Sequence, residues 1–491
     1  MNEALSLDVQ QIPALRRSRA CGRDDVGGAA AASHSPRASG IVAGMLRIAL
    51  LLPVLALSAC AFVTPDRIHY DWIEGRMDAP DGAPAATSPG EAPDTVIGLA
   101  LSGGGARSAV FAAAALEALH ARGLLTPVTH LSSVSGGSFA ATWHVLNRPD
   151  ACGPDPLGAD AETCADAFDA FQAAMRTSYV STLARRELAP NRFGSPTRRL
   201  SSLQTALDAA FIGGATFADL PDAPALYINA GRYDDGRRFV FSREVLPDEP
   251  PGVAPLNDPR LRAASFALPG CPRATPEHLP VALAVATSAA FPVAFGPATF
   301  RVPAGCDGSG EAFWHLGDGG VVENLGLETL EEVALRALAS DAPPARVLLI
   351  ALDAEMLADP ADLFADGDLR LWTSNPGRLV DVAMERGRGY HDLVWADARA
   401  AITAETGAPF TVLRLRYTDA RLTAWPAACA REAERGVSID DHIAAIPTGL
   451  GISACDADLM EEAARQLVDA MIAEHGEALR ALGFPVIGTS P

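Results

Sequence analysis

The first strongly apolar stretch of the chain is Gly40–Cys60 (GIVAGMLRIALLLPVLALSAC), in which Arg47 precedes an apolar run, Ile48–Leu57, that gives way to small residues before Cys60. A short basic start, an apolar core of this length and a small-residue close are the parts of a secretory signal peptide, and the run is too short to span a bilayer comfortably. The parts stand in order from Met45, so residues 1–44 are expected to be an artefactual or disordered extension and 45–59 the signal. Asp78–Pro93 (DAPDGAPAATSPGEAP) lacks periodicity and reads as a linker. Apolar positions become organised at Thr95–Leu101 (TVIGLAL), a continuous run ending in glycines that predicts a buried strand. Ser108–Ala121 predicts a helix rich in Ala and Leu, Val128–Val134 a second strand, and Gly137–Leu146 a second helix. Strand, helix, strand, helix in this order predicts a parallel sheet with right-handed crossovers.

Residues 150–221 change character: a helical pattern broken by Pro and Gly, with Phe168, Phe171 and Tyr179 at helical spacing. Such a stripe reads as core packing or as a lid over an apolar pocket. Leu226–Ser242 holds two strand-like runs about Tyr233-Asp234-Asp235-Gly236, whose Asp-Gly step marks a hairpin. Arg346–Asp353 (RVLLIALD) and Phe410–Arg416 predict further strands, and Asp456–Leu482 an amphipathic closing helix. The expected organisation is a leader over 1–59, an anchor and linker over 60–93, one α/β domain over 94–355 with a helical insertion at about 150–221, and a C-terminal extension, 356–491, packed on it.

Composition narrows the chemistry. With 491 residues, 49% hydrophobic and 20% charged, the chain is of globular type, which excludes collagen, coiled coil and general disorder. Sixty acidic residues against 39 basic leave a net charge of -21, so nucleic acid is not an expected partner. Every basic residue is Arg; the absence of Lys excludes Schiff-base catalysis and a P-loop. Leu57-Ser58-Ala59-Cys60 resembles the lipobox of bacterial lipoproteins. That resemblance implies cleavage before Cys60, a diacylglyceryl thioether on its sulfur and attachment to a membrane surface. Ala61 implies, by the same analogy, the outer membrane facing the periplasm; an ordinary signal peptide with an incidental Cys is the plain alternative. Of the eight cysteines Cys21 lies in the leader, and six follow Cys60: Cys152, Cys164, Cys271, Cys306, Cys429 and Cys455. An even count in an exported chain permits three disulfides, and proximity favours 152–164, 271–306 and 429–455, with buried free thiols as the alternative. No Cys pair has CxxC spacing and no D-x-[DN]-x-[DN]-G loop occurs, so no metal, and no other cofactor, is expected.

Three short segments carry chemistry. Ser102-Gly103-Gly104-Gly105-Ala106-Arg107 lies between a strand and a helix, where backbone N–H groups converge on an anion. As a dinucleotide fingerprint it is incomplete, since Ser108 holds the third glycine position. Ser133-Val134-Ser135-Gly136-Gly137 follows the pattern of a G-x-S-x-G nucleophile elbow with Ser133 in the first place; a Ser-rich helix cap is the alternative. Gly317-Asp318-Gly319-Gly320 sets an Asp among glycines on a turn. In this order, with Ala286–Pro292 (ATSAAFP) and Glu323-Asn324, they resemble the patatin-like phospholipases, including the catalytic domain of cytosolic phospholipase A2. The resemblance spans about 94–355 and is densest over Leu99–Trp143.

The resemblance implies a three-layer α/β/α sandwich around a mainly parallel sheet. It implies a Ser135 nucleophile whose sole partner is Asp318, an oxyanion hole from Gly103, Gly104 and Gly105, and Arg107 on the substrate phosphate. Ser133, Gly137, Gly319 and Gly320 would support the two turns, with departures from the family pattern at Ser108 and Ser133. A membrane-bound hydrolase of lipid carboxylic esters, acting on a lipid or phospholipid, follows. Serine needs an adjacent base, and Asp318 serves if it lies within about 2.6–3.2 Å. A triad is the rival, drawing on His391, His442 or His475, which follow Asp318, or on the nearby His315. A non-catalytic lipid-binding envelope lipoprotein, and a thioesterase or serine peptidase on the same scaffold, are the other readings.

Overall fold

The computed structural model of the protein describes residues 69–71, 94–152, 161–187, 196–243, 246–265, 276–292, 294–302, 312–356 and 378–487. Cys60, Cys271, Cys306 and the leader lie outside them. The chain divides into two units, 1–57 and 58–491, and every described residue belongs to the second.

Nine strands are described: β1 (His69–Asp71), β2 (Thr95–Leu101), β3 (His130–Val134), β4 (Ala225–Arg232), β5 (Arg237–Phe241), β6 (Ala298–Val302), β7 (Ala312–Asp318), β8 (Arg346–Asp353) and β9 (Phe410–Arg416). They form one sheet in the order β1-β6-β7-β4-β3-β2-β8-β9, with β5 also paired to β4. The centre, β4-β3-β2-β8-β9, is parallel, whereas β7 is antiparallel to both β4 and β6. The principal helices are α1 (Gly105–Ala121), α2 (Gly136–Asn147), α3 (Ala161–Met175), α4 (Val180–Glu187), α5 (Pro196–Leu207), α6 (Val281–Ser288), α7 (Leu327–Leu338), α8 (Arg378–Thr406), α9 (Ile439–Ala444) and α10 (Ala454–Ala481).

Alternation along the central strands divides the core into two layers, because successive side chains point to opposite faces. Ile97, Leu99, Leu348 and Ile350 pack with α1, α2, α6 and α10. Val96, Ala100, Val347 and Leu349 pack with α7 and with Trp395 and Ile402 of α8. The result is the expected α/β/α sandwich. The alanines of α1 (Ala109, Ala112–Ala115) are buried, which lets α10 lie close along it.

The sheet is wider than the sequence suggests. β1 lies upstream of Asp94, and β9, from the expected extension, continues β8 in register from Val347↔Phe410 to Asp353↔Arg416. Helices α3, α4 and α5 occupy the expected insertion, and its aromatic stripe is core: Phe168, Phe171 and Tyr179 are buried, with Trp143 stacked on Phe171 at 4.5 Å between ring centres. Disulfides join Cys152 to Cys164 and Cys429 to Cys455.

One junction matters for function. β3 pairs with Ala225–Asn229 of β4, and β7 with Ala230–Arg232. Ile228 and Asn229 pair with β5 as well as β3, and Ala230–Arg232 with β5 as well as β7. β5 therefore holds one edge of β4, while β3 and β7 share the other edge in succession. The C-terminal end of β3 and that of β7 meet at this handover.

Candidate active site

Ser135 follows the last residue of β3, and Asp318 is the last residue of β7, paired with Ala230. The handover thus brings two residues distant in sequence into one place, where the Ser135 hydroxyl is among the groups that act on the Asp318 carboxyl. Ser135 has φ 49° and ψ -118°, a backbone conformation that costs a non-glycine residue about 1–3 kcal/mol. The surroundings hold it there: its N–H donates to Ser288 Oγ at 2.8 Å, and the Ser288 hydroxyl donates to the Asn229 carbonyl at 2.6 Å. Asn229 in turn donates from Nδ2 to Ser132 Oγ at 2.8 Å and to the Ser133 carbonyl at 2.9 Å, fixing the strand that delivers the elbow.

Glycines allow the close approach. A Cβ on Gly136 would lie 2.0 Å from the Gly105 carbonyl oxygen, and one on Gly137 2.4 Å from that of Leu101, so the elbow is pressed against the glycine loop by backbone contact. A Cβ on Gly319 would lie 2.5 Å from the Asn229 carbonyl oxygen. Asp318 Oδ1 accepts the Gly320 N–H at 2.7 Å. Asp318 is 4% exposed, and burial raises its pKa from 3.8 to about 7 against the lowering effects of the Gly320 N–H and the nearby Ser135 hydroxyl.

In the glycine loop the flanking amides are committed: Ser102 N–H to the Leu352 carbonyl (3.1 Å), Gly103 N–H to that of Asn324 (2.8 Å) and Ala106 N–H to that of Gly449 (2.7 Å). Between them Gly104 (φ 141°) and Gly105 (φ 61°) have no acceptor for their N–H groups among the described residues. A Cβ on Gly103 would lie 3.4 Å from Ser135 Cβ, so the loop runs directly beside the serine.

A strained serine close to a buried carboxyl, beside two unclaimed amides, is accompanied by a match of residues 99–330 to the family described as patatin-like phospholipase. This stretch is a patatin-like phospholipase domain. The chain is also similar to human GIVD cytosolic phospholipase A2, at 12% identity and a TM-score of 0.42, over 80% of this chain and 60% of that one. VipD from Legionella pneumophila is similar at 14% identity and a TM-score of 0.27, over 84% and 73% respectively. The chain therefore spans about 60% of the length of the human protein. No curated protein matches it.

Two sequence expectations within the patatin-like domain need correction. Gly103 does not offer its amide to a substrate, because Asn324 takes it; its lack of a side chain is what matters, since a Cβ would lie 2.0 Å from Asn324 Oδ1. Arg107 does not face a substrate phosphate. It is 1% exposed, donates from Nε to the Ala354 carbonyl (3.0 Å) and from NH1 to that of Ile446 (2.5 Å), and packs over the Tyr417 ring. Burial lowers its pKa, and Tyr417, Asp353 and Glu355 oppose that shift. Its role here is to brace the glycine loop: its NH2 would lie 3.2 Å from a Cβ on Gly104.

The rival imidazoles pair elsewhere: His391 with Glu331 (2.8 Å), His442 with Asp456 (2.8 Å), His315 with Asp234 (2.8 Å), and His475 lies 3.7 Å from Glu474. Two groups of metal-ligand type are present among the described residues, His120 with Cys152 and Cys164, and His442 with Cys455 and Asp456. All three cysteines are in disulfides, which removes the thiolates a metal would need.

Sequence reasoning gave Ser288, Asn229 and Asn324 no role. Ser288 lies within ATSAAFP and Asn324 within the segment after Asp318, so a motif flagged both; Asn229, inside an apolar strand, carried only its oddness as a polar residue there.

Proposed function

We propose that the protein is a serine acyl hydrolase of lipid carboxylic esters, of phospholipase A or lysophospholipase type, working through a Ser135–Asp318 dyad. The observation that carries this reading is an elbow serine in a left-handed conformation beside a buried carboxyl where β3 and β7 meet along β4, next to the amides of Gly104 and Gly105. Asp318 takes the Ser135 proton as Oγ attacks the ester carbonyl. The amides stabilise the resulting oxyanion, a contribution of about 3–4 kcal/mol for each donor. Collapse expels the alcohol, to which Asp318 returns the proton, and a water activated by the same carboxylate then releases the acyl group. A carboxyl whose pKa lies near 7 suits both directions of transfer at neutral pH.

Cleavage and acylation at Cys60 would hold the enzyme at a membrane surface, where its substrate resides, with the anchor offsetting the repulsion of a strongly acidic chain from anionic lipid. Purified protein is expected to release fatty acid from diacyl- or lysophospholipid and from p-nitrophenyl esters, and a fluorophosphonate probe to label Ser135. Hydrolysis that persists undiminished in Ser135→Ala would overturn the reading. Comparing phospholipid, thioester and peptide substrates separates it from the thioesterase and peptidase alternatives.

A further inference from the structure

The glycine loop is held in part by residues that lie well beyond the matched stretch 99–330. Residues 446–451, between α9 and α10, cross over the start of α1. Gly449 forms a parallel bridge with Gly105 and accepts the Ala106 N–H at 2.7 Å. The contact is tight: a Cβ on Gly105 would lie 2.2 Å from the Gly449 carbonyl oxygen. Each end of this strap is tied down. Arg107 NH1 donates to the Ile446 carbonyl, and the Tyr179 N–H donates to that of Leu450 at 2.9 Å. Gly451 abuts Ser178, whose Oγ a Cβ there would meet at 2.4 Å. The base is closed by His442 bonding Asp456 and by the Cys429–Cys455 disulfide. Leu450 lies among the apolar residues Ala106, Phe139, Met175 and Tyr179, and Phe139 is one helical turn along α2 from Ser135.

We infer that residues 446–451 are a positioning element of the catalytic site, supplied by the C-terminal region, that sets the orientation of the Gly104 and Gly105 amides; this rests on the acyl-hydrolase reading. The physical basis is the pattern of committed donors. By taking the Ala106 N–H and capping the left-handed turn at Gly105, the strap denies the loop its easiest relaxation, a rotation that would swing both amides away from Ser135. A pre-oriented donor stabilises an oxyanion without reorganisation; a donor free to rotate does not.

Gly451→Val tests this at a distance from the dyad, because its side chain would collide with Ser178 and push the strap off the loop. The expected result is a kcat lower by about 10- to 100-fold with KM changed less than about 3-fold, in line with the loss of aligned oxyanion donors. Ser178→Gly in the same chain makes room and is expected to restore most of kcat. Leu479→Ala, in the buried distal part of α10, provides a variant of comparable thermal stability loss and should keep its kcat. Hydrogen exchange at residues 104–107 gives a readout independent of turnover: Gly451→Val should speed it, and Leu479→Ala should not. An unchanged kcat in folded Gly451→Val overturns the proposal, as does an equal loss in Leu479→Ala or a double variant that regains stability without kcat. If the wild-type protein hydrolyses no ester, the functional reading fails by itself, and unaltered exchange at 104–107 in Gly451→Val rejects the strap as a positioning element independently.

Discussion

Replacing Asp318 by Asn should make the protein more stable and inactive, and the gain should depend on pH in a defined way. In the unfolded chain the carboxyl titrates near 3.8; in the fold, burial raises this to about 7. A raised acid pKa means that the folded state holds the proton more tightly, so ionisation costs stability once pH exceeds 3.8, and the cost is complete above about 7. At about 1.4 kcal/mol for each tenfold change in proton affinity, the interval corresponds to a penalty on the order of 4 kcal/mol. Asn carries no such penalty, and its Oδ1 can still accept the Gly320 N–H now bonded at 2.7 Å. Urea denaturation of both proteins at pH 4.5, 6, 7.5 and 8.5 measures the difference directly. Other buried carboxyls with raised pKa values, such as Glu323 and Glu355, are common to both chains and cancel. The pH-dependent part of the difference should be about 1 kcal/mol at pH 4.5, grow in favour of Asn through pH 7, and then stay constant. A difference that is flat with pH, or an Asn variant less stable at pH 8.5, would refute the assignment of a buried, ionisation-penalised base at this position.

Further outcomes follow from the same geometry. The pH profile of kcat/KM should rise with pH and level off above an apparent pKa close to 7, since Asp318 must be ionised to accept a proton. Ser135→Gly should abolish activity and fluorophosphonate labelling while raising stability by about 1 kcal/mol in thermal melts, because glycine adopts φ 49° without strain. Ser288→Ala removes the acceptor of the Ser135 N–H and the donor to Asn229; a loss of about 1–3 kcal/mol in stability and a fall in kcat larger than any change in KM are expected. Arg107→Met leaves two buried carbonyls unpaired and should cost about 2–4 kcal/mol in urea melts. Its KM for a phospholipid and for an uncharged ester of the same acyl chain should move together, whereas a phosphate contact would raise only the first.

Much of the parallel core was legible in the sequence because its signals are local. Thr95–Leu101, Arg346–Asp353 and Phe410–Arg416 are runs of apolar residues with the length of a strand, and each is a strand with the expected bounds. The hairpin at Tyr233–Gly236 carried its own turn chemistry, and β4 and β5 flank it. β6 and β7 were not legible: Ala312–Asp318 (AFWHLGD) mixes polar and apolar residues without clean alternation, and its place as a strand comes from pairing with β4 and β6. For the same reason Asp318 was expected on a free turn rather than at a strand end. The start of α1 shifted from Ser108 to Gly105 because the Gly104–Gly105 turn, not a capping side chain, begins the helix. At the site, Ser135 and Asp318 stood out by residue type and order, and both lie at the handover on β4. The fate of Arg107 was not legible, since nothing local distinguishes a guanidinium aimed at solvent from one enclosed by Ala354, Ile446 and Tyr417.

The succession of β3 and β7 along one side of β4 also frees the design from covalent length. Ser135 and Asp318 are located by the ladder that β4 offers, so strand pairing, and not the length of the connections between strands, sets where they stand. The helices α3, α4 and α5 contribute packing instead: Phe168, Phe171 and Tyr179 join them to the core of the sheet, while register is left to the strands.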